Sequence, residues 1–390
     1  MKFLFLVADG MGDWPIKALD GKTCLEAAHT PCLDELAGRS VLGRCATIPK
    51  GMAPGSDVAN MALLGFDPAQ YHTGRGPIEA AAQGLALGPD DLVFRLNLVT
   101  VSEFSQSGVM LDYSAGHIDT ELATKLVARL QARLGGEGFM FLPGVQYRHL
   151  LIQQGGALEP SAELAVRPPH DILDQKIKPD LRQISKYAPL WDLVFGAAEV
   201  LAENNPTKAN AVWPWGQGRP LSLPDFTASY GLRGGVISAV DLIKGLGLAS
   251  NMDVIDVPGA TGLVDTDYEG KVAAALAYLA ENDFVFVHLE GPDECGHGGS
   301  PECKVTAIER FDQRIVAPLL AGLAERGEAA AVLVCCDHYT PIQERTHTTD
   351  PVPFLLHWPG CEGSGAAVFS EKTADASGLR IDAGHKLLPW

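Results

Sequence analysis

The chain has 390 residues, 46% apolar and 20% charged, the profile of an ordinary globular protein long enough for more than one core. Its formal net charge of −18 excludes nucleic acid and anionic membrane as main partners, because both need clustered Lys and Arg. An anionic small substrate stays open, since a local pocket on an acidic surface can be basic or hold metal.

The first run, KFLFLVAD, spans Lys2 to Asp9. It is continuously apolar and ends on a carboxylate, as expected of a strand buried on both faces. It is too short for a secretory leader, and no segment approaches the ~18–20 apolar residues of a membrane span, so a cytoplasmic location is expected. The eight cysteines include no C-x-x-C pair and do not read as a disulfide scaffold.

TCLEAAHTPCLDELAGR then reads as helical. PKGMAPGSDVANMALLGFDP, from Pro49 to Pro68, places Ser56 between a Pro-Gly turn and an apolar helix. Taken alone, a Gly-Ser-Asp turn before a helix reads as an N-cap. The same position also suits a nucleophile, because a helix N-terminus offers N–H groups and a positive dipole end to a phosphate.

From about 84 to 223 the grammar changes. Strand-like LVFRLNLVTVSEF, GVMLD and YRHLLIQ alternate with helical TELATKLVARLQARLG and LWDLVFGAAEVLAEN, separated by Pro-rich connections. This predicts an α+β domain, residues 84–223, inserted into a sheet domain made of 1–83 and 224–390. All eight cysteines lie outside the insert.

Beyond the insert, a strand at Val236–Ser238, the helix SAVDLIKGLGLA and a strand in MDVIDVP restore βα alternation. DFVFVHLE (Asp283–Glu290) and AAAVLVCCDH (Ala329–His338) are two further buried-strand runs, each preceded by an amphipathic helix. Cys335 and Cys336, inside the last run, read as buried small residues. The fold class is therefore α/β, a doubly wound, mostly parallel sheet with an inserted smaller α+β domain.

Ligands of open α/β sheets bind beyond the carboxyl ends of the strands. Three strand ends here carry carboxylates or histidines: Asp9; Asp293 and His297 in a D-x-x-x-H spacing that shares one helix face; and Asp337-His338, with His347 farther on. Asp and His together are ligands for Zn, Mn or similar divalent ions, and six such groups suffice for two. Two adjacent ions suit phosphoryl transfer, and in that company the nucleophile reading of Ser56 overtakes the cap reading.

Ten stretches spread in order over nearly the whole chain strengthen this: ADGMGDWP, PGSDVANMALLGFDP, GRGPIEAAAQG, FRLNLVT, DYSAGHI, PGVQYRHLL, VISAVDLIKGLG, VPGATG, DECGH and CDHYTPI…H…DPVPFLL. In these the chain resembles the cofactor-independent phosphoglycerate mutases, the shorter archaeal-type branch, within the alkaline phosphatase superfamily. The resemblance implies an alkaline-phosphatase-like fold and two divalent ions, Mn²⁺ first, with Zn²⁺, Co²⁺ or Mg²⁺ as alternatives, and no bisphosphoglycerate. It implies that Asp293, His297 and His347 hold one ion, that Asp9, Ser56, Asp337 and His338 hold the other, and that Ser56 is transiently phosphorylated.

The partner implied is a small phosphorylated substrate, 3-phosphoglycerate, with its phosphoryl group moving through phosphoserine to give 2-phosphoglycerate. Cations must hold carboxylate and phosphate meanwhile. The candidates are Arg75, Arg95, Arg148 and Lys244, with His117, His149 and His170 as partners, and Lys244 is favoured as catalytic. A homo-oligomer is left open. Three histidines among the ligands predict activity falling below about pH 7, since imidazole binds metal only when neutral.

RPPHDI, around His170, departs from the typical archaeal mutases and resembles a bacterial subgroup proposed to act as homoserine kinases. The rival readings are therefore a kinase acting on homoserine or a similar small alcohol, and a metal-dependent phosphatase with the same core. A Ser-His-Asp esterase fails because Pro54-Gly55-Ser56-Asp57-Val58 is not G-x-S-x-G. A binding module without ions would bury these charged groups at high cost.

Overall fold

A computed structural model of the chain describes residues 1–136 and 138–389. The strands in chain order are β1 (Lys2–Ala8), β2 (Val41–Cys45), β3 (Leu92–Val101), β4 (Met110–Asp112), β5 (Phe139–Leu142), β6 (Arg148–Gln153), β7 (Ala211–Gly218), β8 (Gly234–Ile237), β9 (Asp253–Val254), β10 (Phe284–Leu289), β11 (Ala330–Cys335), β12 (Val352–His357) and β13 (Arg380–Ile381).

The chain forms two compact units, one of Met1–His72 with Ser222–Trp390, the other of Thr73–Leu221. The first is built on an eight-stranded sheet of order β13-β2-β12-β11-β1-β10-β8-β9. All neighbours are parallel except β12, which runs antiparallel to both β11 and β2. β1 sits between β10 and β11, and these three carry the continuous apolar runs because both of their faces are covered. Their parallel register brings their carboxyl ends to one edge: Ala8 pairs with Leu289 and Val7 with Cys335. Asp9, Asp293 and Asp337 follow those ends.

The second unit is an antiparallel sheet of order β4-β3-β6-β5, with β7 added on β3. Helices Thr120–Leu134 and Ala188–Ala202 pack in its core through Leu126, Leu130, Leu190 and Val194. This unit begins at Thr73, not at residue 84, and ends at Leu221, not at residue 223. Helix Arg75–Ala82 belongs to it because Gly76 lets the helix backbone approach β3: a Cβ there would lie 2.5 Å from the Val93 carbonyl oxygen. GRGPIEAAAQG is thus the first element of the inserted unit rather than the last of the sheet unit.

Cys335 and Cys336 are fully buried. Cys295 and Cys303 form a disulfide between helices Gly291–Gly298 and Pro301–Phe311, a pairing that the spacing alone does not announce. Among the described residues no helix is long and apolar enough to cross a membrane.

Candidate metal centre and anion cluster

Three loops leave the carboxyl edge of the sheet and converge. Asp9 follows β1 directly and is buried. Asp293 and His297 lie one turn apart on helix Gly291–Gly298, with His297 Nε2 3.3 Å from Asp293 Oδ2. His347 Nε2 lies 3.5 Å from Asp293 Oδ1 and 3.0 Å from His297 Nε2. His297 Nδ1 donates to the Arg345 carbonyl at 2.9 Å, which leaves Nε2 facing Asp293 and His347.

Asp337 and His338 follow β11 and are fully buried. Asp337 Oδ1 accepts from the N–H groups of Gly10 (3.0 Å) and His338 (2.9 Å), and Oδ2 accepts from Asn60 Nδ2 (2.8 Å). His338 Nε2 lies 3.3 Å from Asp337 Oδ2, 3.5 Å from Asp9 Oδ1 and 3.1 Å from Ser56 Oγ. Thr340 Oγ1 donates its single hydrogen to Asp293 Oδ1, so it accepts from His338 Nδ1 at 3.3 Å. His338 Nε2 therefore presents a lone pair, and Ser56 Oγ donates to it.

Ser56 is the first residue of helix Ser56–Leu63, and Gly55 holds the N-cap position. The serine hydroxyl is turned to His338 and does not cap its own helix.

Electrostatics match this crowding. Burial, reinforced by the charges of Asp337 and Asp293, pushes the Asp9 carboxyl well above the usual range. Burial also opposes ionisation of Asp293, but hydrogen bonds from His297 and His347 win and hold it well below. Asp337 is likewise lowered, with His338 and His288 outweighing burial. Burial pulls His338 down to about 4, whereas the bond to Asp293 overcomes burial and lifts His297 to about 9. Three buried carboxylates with imidazoles between them could hold a cation. Asp9 Oδ1 is buried without any hydrogen-bond partner, and an all-oxygen-and-nitrogen donor set fits divalent ions of the Mn, Co, Zn type.

Lys304 ties two of the three loops together. It is fully buried and donates from Nζ to the carbonyls of Gly12 (3.0 Å) and Thr340 (2.9 Å) and to Asp13 Oδ2 (2.9 Å). Lys304→Met leaves the buried Asp13 carboxylate without its cation and is expected to destabilise the fold by ~3–5 kcal/mol. The urea midpoint measures this; a loss below about 1 kcal/mol would remove Lys304 from that role.

Within the inserted unit, five of the six cationic and imidazole candidates gather around aromatic rings. Trp215 packs under the guanidinium of Arg95 (4.8 Å) and of Arg75 (5.8 Å), and the His170 ring stands 5.4 Å from it. Tyr147 carries Arg148 (4.4 Å) and meets His117 (6.3 Å), and Tyr113 links Tyr147 to His170. One carboxylate, Glu79, bonds Arg95 (3.1 Å) and Arg75 (3.3 Å). Burial pulls the Arg95 guanidinium down to about 10; Glu79 opposes this and the charges of Arg75 and Arg148 add to it. Three guanidinium groups against one carboxylate leave this cluster positively charged, as an anion-binding site requires.

His149 does not join them. Its neighbour across the sheet is Leu96, so it faces away from Arg95, Asn97 and Arg148. Its Nδ1 accepts from the Gly144 N–H, and burial lowers it to about 4, the state of a neutral core histidine. Lys244 Nζ pairs with Asp256 Oδ1 at 2.6 Å. Its apolar, glycine-rich helix places it correctly, but the pairing was not legible from that helix.

A family model described as 2,3-bisphosphoglycerate-independent phosphoglycerate mutase matches residues 37–206. That span contains Ser56 and all six candidates of the inserted unit. A curated protein of that name from Methanosarcina barkeri is 46% identical, with 100% of this chain and 98% of the relative covered. A Geobacter sulfurreducens protein named as a probable member is 43% identical, with the same coverage. The chain belongs to the 2,3-bisphosphoglycerate-independent phosphoglycerate mutase family.

Solved structures agree. A cofactor-independent phosphoglycerate mutase from Thermoplasma acidophilum superposes with a TM-score of 0.65 at 26% identity, covering 100% of this chain and 98% of the other. The PH0037 protein from Pyrococcus horikoshii reaches 0.80 at 29% identity, covering 100% and 95%. Sequence reasoning did not single out Asn60, Thr340 and Lys304, whose hydrogen bonds hold the loops that carry Asp337, Asp293 and Asp13. Asn60, four residues after Ser56 on the same helix face, was the most accessible of these to a spacing argument.

Proposed function

We propose that this protein interconverts 3-phosphoglycerate and 2-phosphoglycerate with Ser56 as the transient phosphoryl carrier. The observation that carries the reading is Ser56 Oγ at 3.1 Å from His338 Nε2, inside a buried carboxylate–imidazole cluster. Asp293, His297 and His347 would hold one divalent ion and Asp9, Ser56, Asp337 and His338 the other, with Mn²⁺ the first choice. Such ions lower the pKa of a coordinated hydroxyl and neutralise charge on the phosphoryl group.

Ser56 Oγ forms the bond to phosphorus while the bond to the C3 oxygen of 3-phosphoglycerate breaks, leaving phosphoserine and glycerate. Glycerate turns, and its 2-hydroxyl oxygen takes the phosphoryl group from Ser56, releasing 2-phosphoglycerate. Asn60 holds Asp337 and the Ser56 carbonyl, which fixes the nucleophile's helix against the ligand loop. Arg75, Arg95 and Arg148, with His117 and His170, are the proposed holders of the substrate's anionic groups; Lys244 and His149 are not carried forward.

Metal-reconstituted protein assayed on 3-phosphoglycerate with enolase-coupled detection, beside ATP plus homoserine, tests the reading. Turnover of homoserine alone would replace it. Relatives named as mutases at full length do not favour that acceptor. Arg75→Met, which leaves the Arg95–Glu79 pair in place, is expected to lower kcat/KM about 10–100-fold, as for loss of one hydrogen bond to a charged group. Unchanged kcat/KM at unchanged metal content would take Arg75 out of the substrate site.

A further inference from the structure

His288 is the penultimate residue of β10, fully buried beside Asp9, and was assigned no part in the chemistry above. Its Nδ1 lies 3.3 Å from Glu290 Oε1. That oxygen also accepts from Ser238 Oγ (2.7 Å) and the Ala239 N–H (2.9 Å), while Oε2 is 3.2 Å from Lys271 Nζ. Lys271 Nζ donates as well to the His288 carbonyl at 2.8 Å. Glu290 Oε2 is thus ion-paired with a fully buried ammonium while Oε1 collects a hydroxyl and an N–H donor, the setting of an ionised carboxylate. An ionised carboxylate only accepts, so Nδ1 carries the ring hydrogen.

The other nitrogen, Nε2, is buried and has no hydrogen-bond partner. It lies 3.4 Å from Asp9 Oδ2 but outside hydrogen-bonding geometry. Ligand atoms of Asp9, His288 and Asp337 all lie within 4.8 Å of one another. On Asp9, His338 approaches Oδ1 and His288 approaches Oδ2, so the two imidazoles address different oxygens of one carboxylate. A buried lone pair facing two carboxylates, on a ring oriented by a third carboxylate, is the carboxylate–histidine–metal arrangement.

We infer that His288 is a further ligand for the divalent ion held by Asp9 and Asp337, with Glu290 and Lys271 fixing the ring so that Nε2 points at the ion. The inference rests on the two-ion reading.

The test is Mn²⁺ binding to chelated protein, read as free aqueous Mn²⁺ by electron paramagnetic resonance. Wild type should take up two ions. In a His297→Ala background, where the other ion is weakened, adding His288→Ala should weaken the remaining ion about 10–100-fold, and Glu290→Gln about 10-fold in the same direction. His288→Gln, which keeps the side-chain volume, decides the matter if His288→Ala does not fold. Unchanged or tighter binding of that ion in the His288 variants overturns the inference, since a ring that merely supplied positive charge to Asp9 would compete with the metal. Wild type that binds fewer than two ions overturns the two-ion reading as well.

Discussion

Ser56→Ala is expected to lower mutase activity by about 10⁴-fold or more, because removing a nucleophile that acts as part of a unit takes away nearly the whole chemical acceleration. The fold should survive. Gly55, not Ser56, holds the N-cap position, and the Ser56 side chain bonds His338 across 282 positions of chain rather than its own helix. Metal content should also persist, since the remaining proposed ligands are carboxylates and imidazoles. Wild type quenched during turnover should carry phosphate on the peptide containing Ser56. Substantial activity in Ser56→Ala with normal metal content, or quenched protein without phosphoserine, would return Ser56 to a structural role.

Exhaustive chelation is expected to bring activity to background, and a divalent ion to restore it. Without cations, Asp9, Asp293 and Asp337 crowd a buried edge where Asp9 cannot readily ionise. Full activity after chelation would end the metal-centre reading. The pH dependence of reloading follows from the histidines, and they differ more than their common type suggests. His338, pulled by burial to about 4, is already neutral at pH 6 and gives up no proton to an incoming ion. His297, lifted to about 9 by Asp293 against its burial, must lose one. Binding at the Asp293–His297–His347 site should therefore tighten as pH rises from 6 to 9, with His297 releasing its proton to solution.

Calorimetry in buffers of different ionisation enthalpy measures that release; none at pH 7 would contradict the His297–Asp293 pairing. The sign for the fold is the opposite. In ion-free protein the raised His297 stabilises fully below its unfolded value of about 6.5, and that contribution fades as pH rises through about 9.

Much of this was legible in the chain itself. Lys2–Ala8, Phe284–Leu289 and Ala330–Cys335 are apolar without alternation because helices cover both faces of a parallel sheet, and such strands end in polar groups on one edge. Asp9, Asp293, His297, Asp337, His338, His347 and Ser56 could be named from those ends and from motif order. Local pattern determines strand, helix and which side chains sit at an end.

It does not determine which side chains meet across the fold. GRGPIEAAAQG was assigned to the wrong unit because the reason it docks on β3, a bare Cα at Gly76 facing Val93, is a tertiary contact. His149 and Arg148 are adjacent in sequence and face opposite ways once β6 pairs with β3. Lys244 sits in a shared motif, but its charge is taken by Asp256. His288 reads as one polar residue in an apolar run. Only the order β11-β1-β10 puts its ring beside Asp9, 279 positions earlier in the chain, because parallel pairing aligns strand ends whatever their separation in sequence.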